Sequence, residues 1–475
     1  MSSQQKLVLS IAILASFVAF LDGSVVTVAL PAISEELGGG LTTQQWVVDA
    51  YLITLGALIL VAGSLSDVFG RLVVLRFGLW GFGVASLLCA FAPTAEFLIV
   101  ARGVQGIAGA LLVPSSLALI MSSFRGPAQG KAIGAWTAWT SGAFIAGPLI
   151  GGAFVDLLTW RLVFGINVLP IAVTLWLITR IAQRDVRLEG VTVDYLGAVL
   201  AIIGVGGPVF ALIEQDNFGW ASPAIWLPMV IGVIAFGAFL WRQATARHPM
   251  MPLSLFRIRN FAVGNVSTLF IYGALSMSGF LIAVYLQQEA GWPATAAGLA
   301  SIPVMVLLIL LSSFFGGLAG RYGPRVFMSV GPILAGVGHL LMLTVSEDLN
   351  FWLQLLPGIV LFGLGLAITV APLTSAILGS IDEKRSGIGS AINNAVARVA
   401  GLIAVAMLGI IIGGTLDLEG LHRGLWATAG LLILGGVISA IGIQNPKTEP
   451  GAGTAEPSLS DDQLSAREHD PGNGS

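Results

Sequence analysis

Four ionisable side chains lie in strongly apolar surroundings: Asp22, Asp49, Arg102 and Arg398. Charged groups inside a membrane cost about 2.5–3.5 kcal/mol each on insertion scales, so such groups usually pair or line a water-filled space. A desolvated carboxyl changes its charge when its surroundings change modestly. Residues of these types in such a setting indicate movement of protons or charged compounds through a membrane.

The composition indicates a membrane protein. Hydrophobic residues make up 56% of the chain, charged residues make up only 10%, and the mean hydropathy is +0.91. Soluble domains carry about 25% charged residues, so a soluble core is excluded. A membrane span needs about 20 apolar residues. Fourteen such segments are predicted, at residues 7–30, 45–65, 76–93, 97–124, 132–155, 162–181, 196–213, 223–241, 262–286, 294–319, 326–345, 351–378, 388–413 and 424–443.

The basic residues give this arrangement an orientation. If Met1 lies inside the cell, Arg161 and Arg423 fall outside, Arg102 and Arg398 lie within spans, and all other Lys and Arg residues of the 22 lie inside. Lys and Arg collect in cytoplasmic loops of membrane proteins. Both termini are therefore predicted to be cytoplasmic. The net charge of −3 argues against a nucleic-acid partner.

A repeated loop divides the chain. The sequence from Gly63 to Arg71, after the second span, is similar to the sequence from Gly316 to Arg325, after the tenth. Parallel repeats of six helices are an established transporter plan. The predicted organisation is a six-helix bundle at 1–181, two linking helices with cytoplasmic loops at 182–260, a second six-helix bundle at 261–443 and a disordered cytoplasmic tail at 444–475.

Several motifs occur in one order along the chain. Together they resemble the fourteen-helix drug:proton antiporter family of the major facilitator superfamily, the EmrB/QacA type. The first span reads Leu21-Asp22-Gly-Ser24-Val-Val-Thr27-Val-Ala-Leu30-Pro31, the fourth reads Arg102-Gly-Val-Gln105-Gly106-Ile-Ala-Gly109-Ala110, and Trp160-Arg161 and Ile166-Asn167-Val168 follow the fifth. The fifth span holds an antiporter motif with Gly142, Gly147, Pro148, Gly151 and Gly152, and a further similar stretch runs from Arg385 to Gly401.

This resemblance implies roles for two groups of residues. Asp22 would be the proton site and Arg102 its partner, whereas the alternative is a static ion pair that joins helices 1 and 4. A gating motif at the cytoplasmic side would comprise Gly63, Asp67, Gly70 and Arg71, although Arg71 could serve topology alone. Val68, Leu72 and Gly320 depart from the family pattern, so fewer ion pairs are expected at this gate.

Other residues are candidates for substrate contact. Asp49 would attract cationic substrates or share the proton, or it is an interfacial residue in contact with water. Trp136 and Trp139 would form aromatic walls for planar or cationic compounds, or they pack against lipid and protein. Weaker candidates for the same wall are Asn265, Tyr272 and Gln287. Arg398 is expected to snorkel to the cytosol.

The energy source is constrained by missing motifs. The sequence has no GxxxxGK[ST] phosphate loop, no HExxH and no GxSxG, and its four histidines are scattered. No enzyme activity, cofactor or metal is expected. The resemblance implies a monomeric exporter in the cell membrane that exchanges protons for hydrophobic or cationic compounds by alternating access, surrounded by membrane lipids. Export of one endogenous metabolite is the nearest alternative, and a nontransporting sensor or scaffold is the alternative of another class.

Overall fold

The protein is described from a computed structural model, which covers residues 2–125, 127–181, 193–382 and 385–445. Within these residues, fourteen helices are long and apolar enough to cross a membrane. We number them α1 Ser3–Leu37, α2 Gly40–Phe69, α3 Arg71–Ala90, α4 Ala95–Ser123, α5 Pro127–Leu157, α6 Arg161–Ile178, α7 Tyr195–Phe218, α8 Pro223–Thr245, α9 Arg259–Gln288, α10 Ala294–Tyr322, α11 Arg325–Thr344, α12 Phe351–Leu378, α13 Ser386–Ile412 and α14 Leu418–Gly442.

Each predicted span corresponds to one of these helices, so the predicted number and order are confirmed. The clearest difference in length is at α1, which was predicted to end at Leu30 but continues to Leu37. A 3₁₀ turn at Thr27–Ala29 interrupts it, and a new helical segment begins with Pro31 in its first turn. Proline suits that position because the first helical N–H groups need no partner within the helix.

The repeated loop has the same backbone shape in both copies. Gly70 ends α2 with φ of 100°, and Gly323 ends α10 with φ of 86°. Few residues other than glycine adopt such positive values, so both copies need glycine at this turn. The sequence repeat is therefore also a structural repeat, in which α2 corresponds to α10.

Helices α1–α6 pack together in one half and α9–α14 in the other, so that two six-helix bundles are present. Helices α7 and α8 pack mainly against each other, and α7 also contacts α2 and α13. The Trp46 indole N–H donates a hydrogen bond of 2.7 Å to Glu214, which ties α2 to α7. The exact domain boundaries stay a prediction, and the predicted tail lies outside the described residues beyond position 445.

One polar cluster holds the linking pair together at its loop end. Asp194 precedes α7, accepts a hydrogen bond from the Gly197 N–H, and contacts Arg242 at 2.6 Å and the Gln243 amide at 2.9 Å. Burial opposes the charged form of Asp194, but these hydrogen bonds hold the pKa of its carboxyl below the usual value. The cluster therefore stabilises the contact between α7 and α8 with an ionised carboxylate.

The helices alternate in direction, so the bundle has two ends. We call the end with both chain termini the proximal end, and the end with the loops at 38–39, 91–94, 158–160, 219–222, 289–293, 345–350 and 413–417 the distal end. One apolar core at the distal end draws on both halves, with Val25 and Leu30 of α1 in the same cluster as Met277 of α9 and Leu408 of α13. The halves are therefore packed tightly together at the distal end.

Polar and backbone contacts reinforce this distal closure. Asp156, near the end of α5, accepts hydrogen bonds of 2.8 Å from the backbone N–H groups of Ala294 and Thr295, which begin α10. A carboxylate at a helix N-terminus is favourable because the first N–H groups are otherwise unpaired. Gly152 lies one turn earlier, and a Cβ atom there would be 2.5–2.8 Å from the backbone of Ala294 and Thr295. The two helices can meet only because this residue has no side chain.

At the proximal end the halves have separate cores. One cluster belongs to the first half, from Val8 to Ile178, and another is built around Phe261, Leu373 and Ile377 of the second half, with Leu60 of α2 against it. Hydrogen bonds at this end, such as those from Gln5 to the Ser123 carbonyl and from Arg325 to the Ala440 carbonyl, lie within one half. The structure therefore shows the distal-closed conformation.

Replacing Gly152 with Leu should open the distal end. The new side chain would meet backbone that cannot move aside without separating α5 from α10, and overpacking of this kind costs about 1–3 kcal/mol. The ratio of distal-open to distal-closed molecules should rise about 5- to 150-fold. Spin labels on cysteines placed at the exposed positions Leu158 and Glu289 would measure the distance between the halves.

Gly142→Leu is the matched control, because a Cβ atom at Gly142 of the same helix would have no neighbour within 4 Å. We expect this control to leave the distance distribution unchanged. An unchanged distribution in Gly152→Leu as well would show that close helix approach does not hold the distal end shut.

Candidate functional site

The centre of the first half holds a fully buried acid–base pair. The Asp22 carboxylate contacts the Arg102 guanidinium at 2.6 Å, and their side chains are 0% and 2% exposed. Asp22 also accepts hydrogen bonds of 2.9 Å from the side-chain amides of Gln105 and Asn167. Three donors from α4 and α6 thus surround one carboxylate of α1, which compensates for its loss of water.

The guanidinium is held just as firmly. Arg102 donates to the backbone carbonyl of Val47 at 2.9 Å and to the Gln105 side chain at 2.7 Å, and it lies 4.3 Å from the centroid of the Tyr51 ring. Ser86 of α3 accepts a hydrogen bond of 2.9 Å from Gln105. The network therefore connects α1, α2, α3, α4 and α6, and it can change only if several helices adjust together.

Close contact between α2 and α4 positions Arg102. The Thr54 hydroxyl donates to the Gly103 carbonyl at 2.8 Å, and a side chain at Gly106 would overlap Thr54 and the Tyr51 backbone. Small residues allow such contact between membrane helices. These glycines of the fourth-span motif therefore bring the Val47 carbonyl within reach of the Arg102 guanidinium.

The glycine-rich motif of α5 allows a similarly close contact between α5 and α1. Side chains at Gly147 and Gly151 would collide with Ser24 and Val25, and the Ser24 hydroxyl donates to the Ala143 carbonyl at 3.1 Å. Pro148 and Gly152 lie on the part of the helix that meets α10, where the Pro148 carbonyl faces Gly298. The motif thus contacts both halves of the protein, next to the segment of α1 that carries Asp22.

Asp49 has a different environment. Its side chain is 0% exposed, and neither carboxyl oxygen has a hydrogen-bond partner among the residues that the structure describes. The interpretation of Asp49 as a residue in contact with interfacial water is therefore wrong. An ionised carboxylate in such a place would cost several kcal/mol, so this geometry suits only a neutral acid.

Arg398 lies at the interface between the halves. Its guanidinium carbon is 5.9 Å from the centroid of the Phe20 ring of α1, and its Cβ atom faces Gly56 of α2. The expectation that Arg398 snorkels to the cytosol is wrong, because the side chain turns toward the first half at mid-membrane. It has no ion pair with any carboxylate in the described ranges. Gly23, next to Asp22, is exposed and faces open space.

The gating motif is at the proximal end of α2 and α3. Asp67 and Arg71 form a half-buried ion pair of 3.7 Å, four residues apart, and Gly70 provides the turn between the helices. Gly63 lies on the last turns of α2 with no neighbour within 4 Å of its missing Cβ atom. The role of this motif as a gate stays a prediction.

The two tryptophans of the predicted aromatic wall lie in different environments. The Trp136 indole N–H donates to the Ser16 hydroxyl at 3.0 Å and packs on the core of the first half, whereas Trp139 is 65% exposed. Trp136 therefore joins α5 to α1, and only Trp139 is free to contact a compound or lipid. Their role in binding stays a prediction.

The three candidates of α9 do not form one site. Asn265 near the proximal end is buried and bonded to Phe261 and Asn393, while Gln287 near the distal end bonds to its own helix. These two residues are about 33 Å apart along the helix at 1.5 Å per residue. Only Tyr272, half-buried between them, is within electrostatic reach of Arg398.

Sequence reasoning missed three members of the buried network, namely Gln105, Asn167 and Ser86. Asn167 belongs to the motif that follows the fifth span, and an amide in an apolar span is a usable signal. It lies at the break between the helical segments Arg161–Gly165 and Val168–Ile178. The break aims its amide at Asp22, and only the folded chain shows this.

Two six-helix halves that meet across a central interface, with a buried acid–base pair beside it, define the class of secondary membrane transporters. The family model of the Major Facilitator Superfamily matches residues 12–256 and 264–468. The chain therefore belongs to the Major Facilitator Superfamily.

Named relatives and a solved structure agree with this assignment. The chain is 33% identical over 408 residues to the methylenomycin A resistance protein of Bacillus subtilis (strain 168), covering 85% of this chain and 87% of that protein. It is 32% identical over 426 residues to the multidrug resistance protein Stp of Mycobacterium tuberculosis, covering 88% and 78%. The structure of the peptide transporter POT in complex with sulfate matches with a TM-score of 0.67 over 92% of this chain and 94% of that chain, at 15% identity, and so shares the fold.

The two buried acids should respond differently to amide substitution. Asp22→Asn would leave the Arg102 guanidinium buried without its counter-charge, which costs about 3–5 kcal/mol. Asp49→Asn replaces a neutral acid by a neutral amide of the same shape and should change stability by less than about 1 kcal/mol. Thermal unfolding of the purified protein in detergent, followed by tryptophan fluorescence, would compare them.

The double variant Asp22→Asn/Arg102→Gln removes both charges and should recover part of the stability lost in Asp22→Asn. Equal destabilisation by Asp22→Asn and Asp49→Asn would contradict the distinction between a paired Asp22 and an Asp49 without a partner among the described residues.

Proposed function

We propose that this protein is a proton-coupled exporter that moves hydrophobic or cationic compounds, including antibiotics, out of the cell. The resistance proteins to which it is similar support this assignment. The observation that carries it is the buried Asp22–Arg102 pair on α1 and α4, one residue from the open space at Gly23. A single helix thus presents a proton site to its own half and a surface to the central interface.

The distribution of basic residues indicates how the protein is oriented in the membrane. Basic residues outside the spans are concentrated at the proximal end, so we place this end and both termini in the cytoplasm of a cell that bears the protein in its plasma membrane. The distal-closed conformation would then face the cytosol and accept a compound from inside. Opening of the contact between Asp156 and α10, with closure at the gating motif, would present the compound to the outside.

The proton would move in the opposite direction. In the distal-closed conformation the Asp22 carboxyl is fully paired with donors, whereas the Asp49 carboxyl has no partner among the described residues. When the distal end opens, Asp22 would take a proton from outside, which weakens its attraction to Arg102, and the proton would leave to the cytosol when the pair forms again. Inward movement of one charge across 100 mV supplies about 2.3 kcal/mol. The protein would perform this cycle as a monomer.

Coupling at Asp22 is measurable in proteoliposomes that are acidified inside. Addition of a transported compound should trigger proton release, monitored by an entrapped pH dye. Asp22→Asn should abolish this substrate-triggered release, because the amide cannot carry a proton. Asp67→Asn is the matched acid-to-amide control, and it should release protons more slowly but in response to the same compounds.

Two outcomes would contradict parts of this proposal. Substrate-triggered release in folded Asp22→Asn would make the Asp22–Arg102 pair a static structural contact. No release with any compound from folded wild-type protein would contradict proton-coupled export of drugs.

The same assay can measure how many kinds of compound the protein exports. One relative is named for a single antibiotic and another for multidrug resistance, so the names support both a dedicated and a broad exporter. A response to one compound in a chemically diverse panel would identify a dedicated exporter, whereas responses to unrelated compounds would identify a broad one.

Arg398 should determine which of these compounds bind well. Its guanidinium is unpaired within the described residues and lies against Phe20 at the central interface. Such a group favours compounds that combine an apolar surface with hydrogen-bond acceptors. We expect Arg398→Gln to weaken binding of acceptor-bearing compounds about 10- to 150-fold, as loss of a charged hydrogen bond costs about 1.5–3 kcal/mol.

Binding can be followed by quenching of tryptophan fluorescence, and lipophilic cations without acceptors provide the comparison. Their affinity should be unchanged or increased in Arg398→Gln. An equal loss for both kinds of compound would show that Arg398 supports the fold rather than recognising substrates.

A further inference from the structure

A groove runs along the outer surface of the first half, between α3 and α6. Its volume is about 670 Å³, which is within the range of ligand sites. Most of its lining is apolar, and it lies on helix surfaces that face away from the central interface. The lining residues are Arg76, Trp80, Gly83, Val84, Leu87, Val168, Ile171, Ala172, Leu175, Trp176 and Thr179.

One end of the groove carries cations. Arg76 lies five residues from the proximal start of α3, about 7.5 Å along the helix. Arg180 follows the end of α6, and its guanidinium carbon is 4.7 Å from the centroid of the Trp176 ring. Both arginines are exposed, and neither forms an ion pair within the described parts of the chain. Two guanidinium groups therefore stand at the proximal mouth of an apolar groove.

The remainder of the groove has the dimensions of an acyl chain. From Arg76 to Leu87 it follows α3 for about 16 Å at 1.5 Å per residue. Gly83 lies near the middle, where a Cβ atom would be 3.4 Å from the Ile171 side chain, so the missing side chain leaves the groove open. Trp80 and Trp176 flank the cationic end, and tryptophan is typical of the boundary between acyl chains and headgroups.

We propose that this groove binds one anionic phospholipid, with its phosphate at Arg76 and Arg180 and one acyl chain along Gly83 and Leu87. Arginine forms strong, directional hydrogen bonds with phosphate oxygens. Basic pockets between membrane helices bind lipid headgroups, and a negatively charged headgroup gains from both cations. The site is separate from the Asp22 network, and its existence does not depend on what the protein transports.

A second groove on the other side of α3 provides a contrast. It is lined by Leu65, Phe69, Val73, Val74, Phe77 and Leu111, has a volume of about 210 Å³, and includes no cation in its lining. An acyl chain can rest there, but nothing holds a headgroup. Selectivity for anionic lipid is thus expected of the groove between α3 and α6.

The test uses full-length protein purified in detergent, titrated with phosphatidylglycerol or phosphatidylcholine. Native mass spectrometry counts retained lipids, and thermal unfolding measures stabilisation. Each interfacial arginine contributes about fivefold to the affinity for anionic lipid, so Arg76→Gln/Arg180→Gln should weaken phosphatidylglycerol binding about 30-fold. Binding of phosphatidylcholine should not change.

Two further variants separate charge from shape. The double variant Arg76→Lys/Arg180→Lys keeps the charges and should retain most of the affinity. Gly83→Leu fills the groove and leaves both arginines, so it should also lose the bound phosphatidylglycerol. Arg321→Gln, an exposed arginine at the proximal end of the other half, is the control and should bind as the wild type does.

Three results would overturn the proposal. These are equal binding of the two lipids by the wild type, unchanged phosphatidylglycerol binding in Arg76→Gln/Arg180→Gln, or stabilisation by glycerol phosphate equal to that by phosphatidylglycerol. The last result would mean that the arginines bind a free phosphate group and that the groove holds no specific lipid. Loss of one phosphatidylglycerol molecule in both Arg76→Gln/Arg180→Gln and Gly83→Leu would support the proposed lipid site.

Discussion

A pair of opposite charges in an apolar interior is the constraint on which the remainder of this structure depends. Neither Asp22 nor Arg102 is tolerable alone at this depth, because an unpaired ion there costs several kcal/mol. Donors and acceptors from five helices surround the pair and replace its lost contacts with water. They include the Val47 carbonyl and the amides of Gln105 and Asn167. A proton added to Asp22 would therefore alter the forces among all of these helices at once, as the proposed coupling requires.

Close helix contact transmits such a change to the interface between the halves. The glycine-rich motif of α5 packs against α1 at Ser24 and Val25, two to three residues from Asp22, and the same helix meets α10 at Gly152. Asp156 then joins α5 to the first N–H groups of α10. A short path of backbone contacts thus leads from the buried pair to the distal closure. Glycine suits this path because backbone contacts are stiff and a small shift cannot be absorbed by a side chain.

The other ionisable groups of the protein lie in different environments. Asp49 has no partner in the described residues and suits a neutral acid, whereas Arg398 faces the interface without a counter-charge. Arg76 and Arg180 belong to a third environment, at the membrane boundary, where charge is compatible with water and with lipid headgroups. Position relative to the membrane and to the two halves, more than residue type, decides what each charge can do.

Composition and local pattern determined a large part of this protein. Runs of about twenty apolar residues predict fourteen helices because a backbone in lipid must satisfy its own hydrogen bonds. The repeated loop ending in Gly70 and Gly323 predicts two related halves, and ordered motifs indicate the family and the pairing of Asp22 with Arg102. Tertiary structure alone decided the rest. The direction of Arg398 toward Phe20, the burial of Asp49, the arrival of Asn167 at Asp22 and the contact of Asp156 with α10 join residues far apart in the chain. Their geometry depends on how the helices rotate and cross, and a uniformly apolar sequence says little about which face of a helix meets which neighbour.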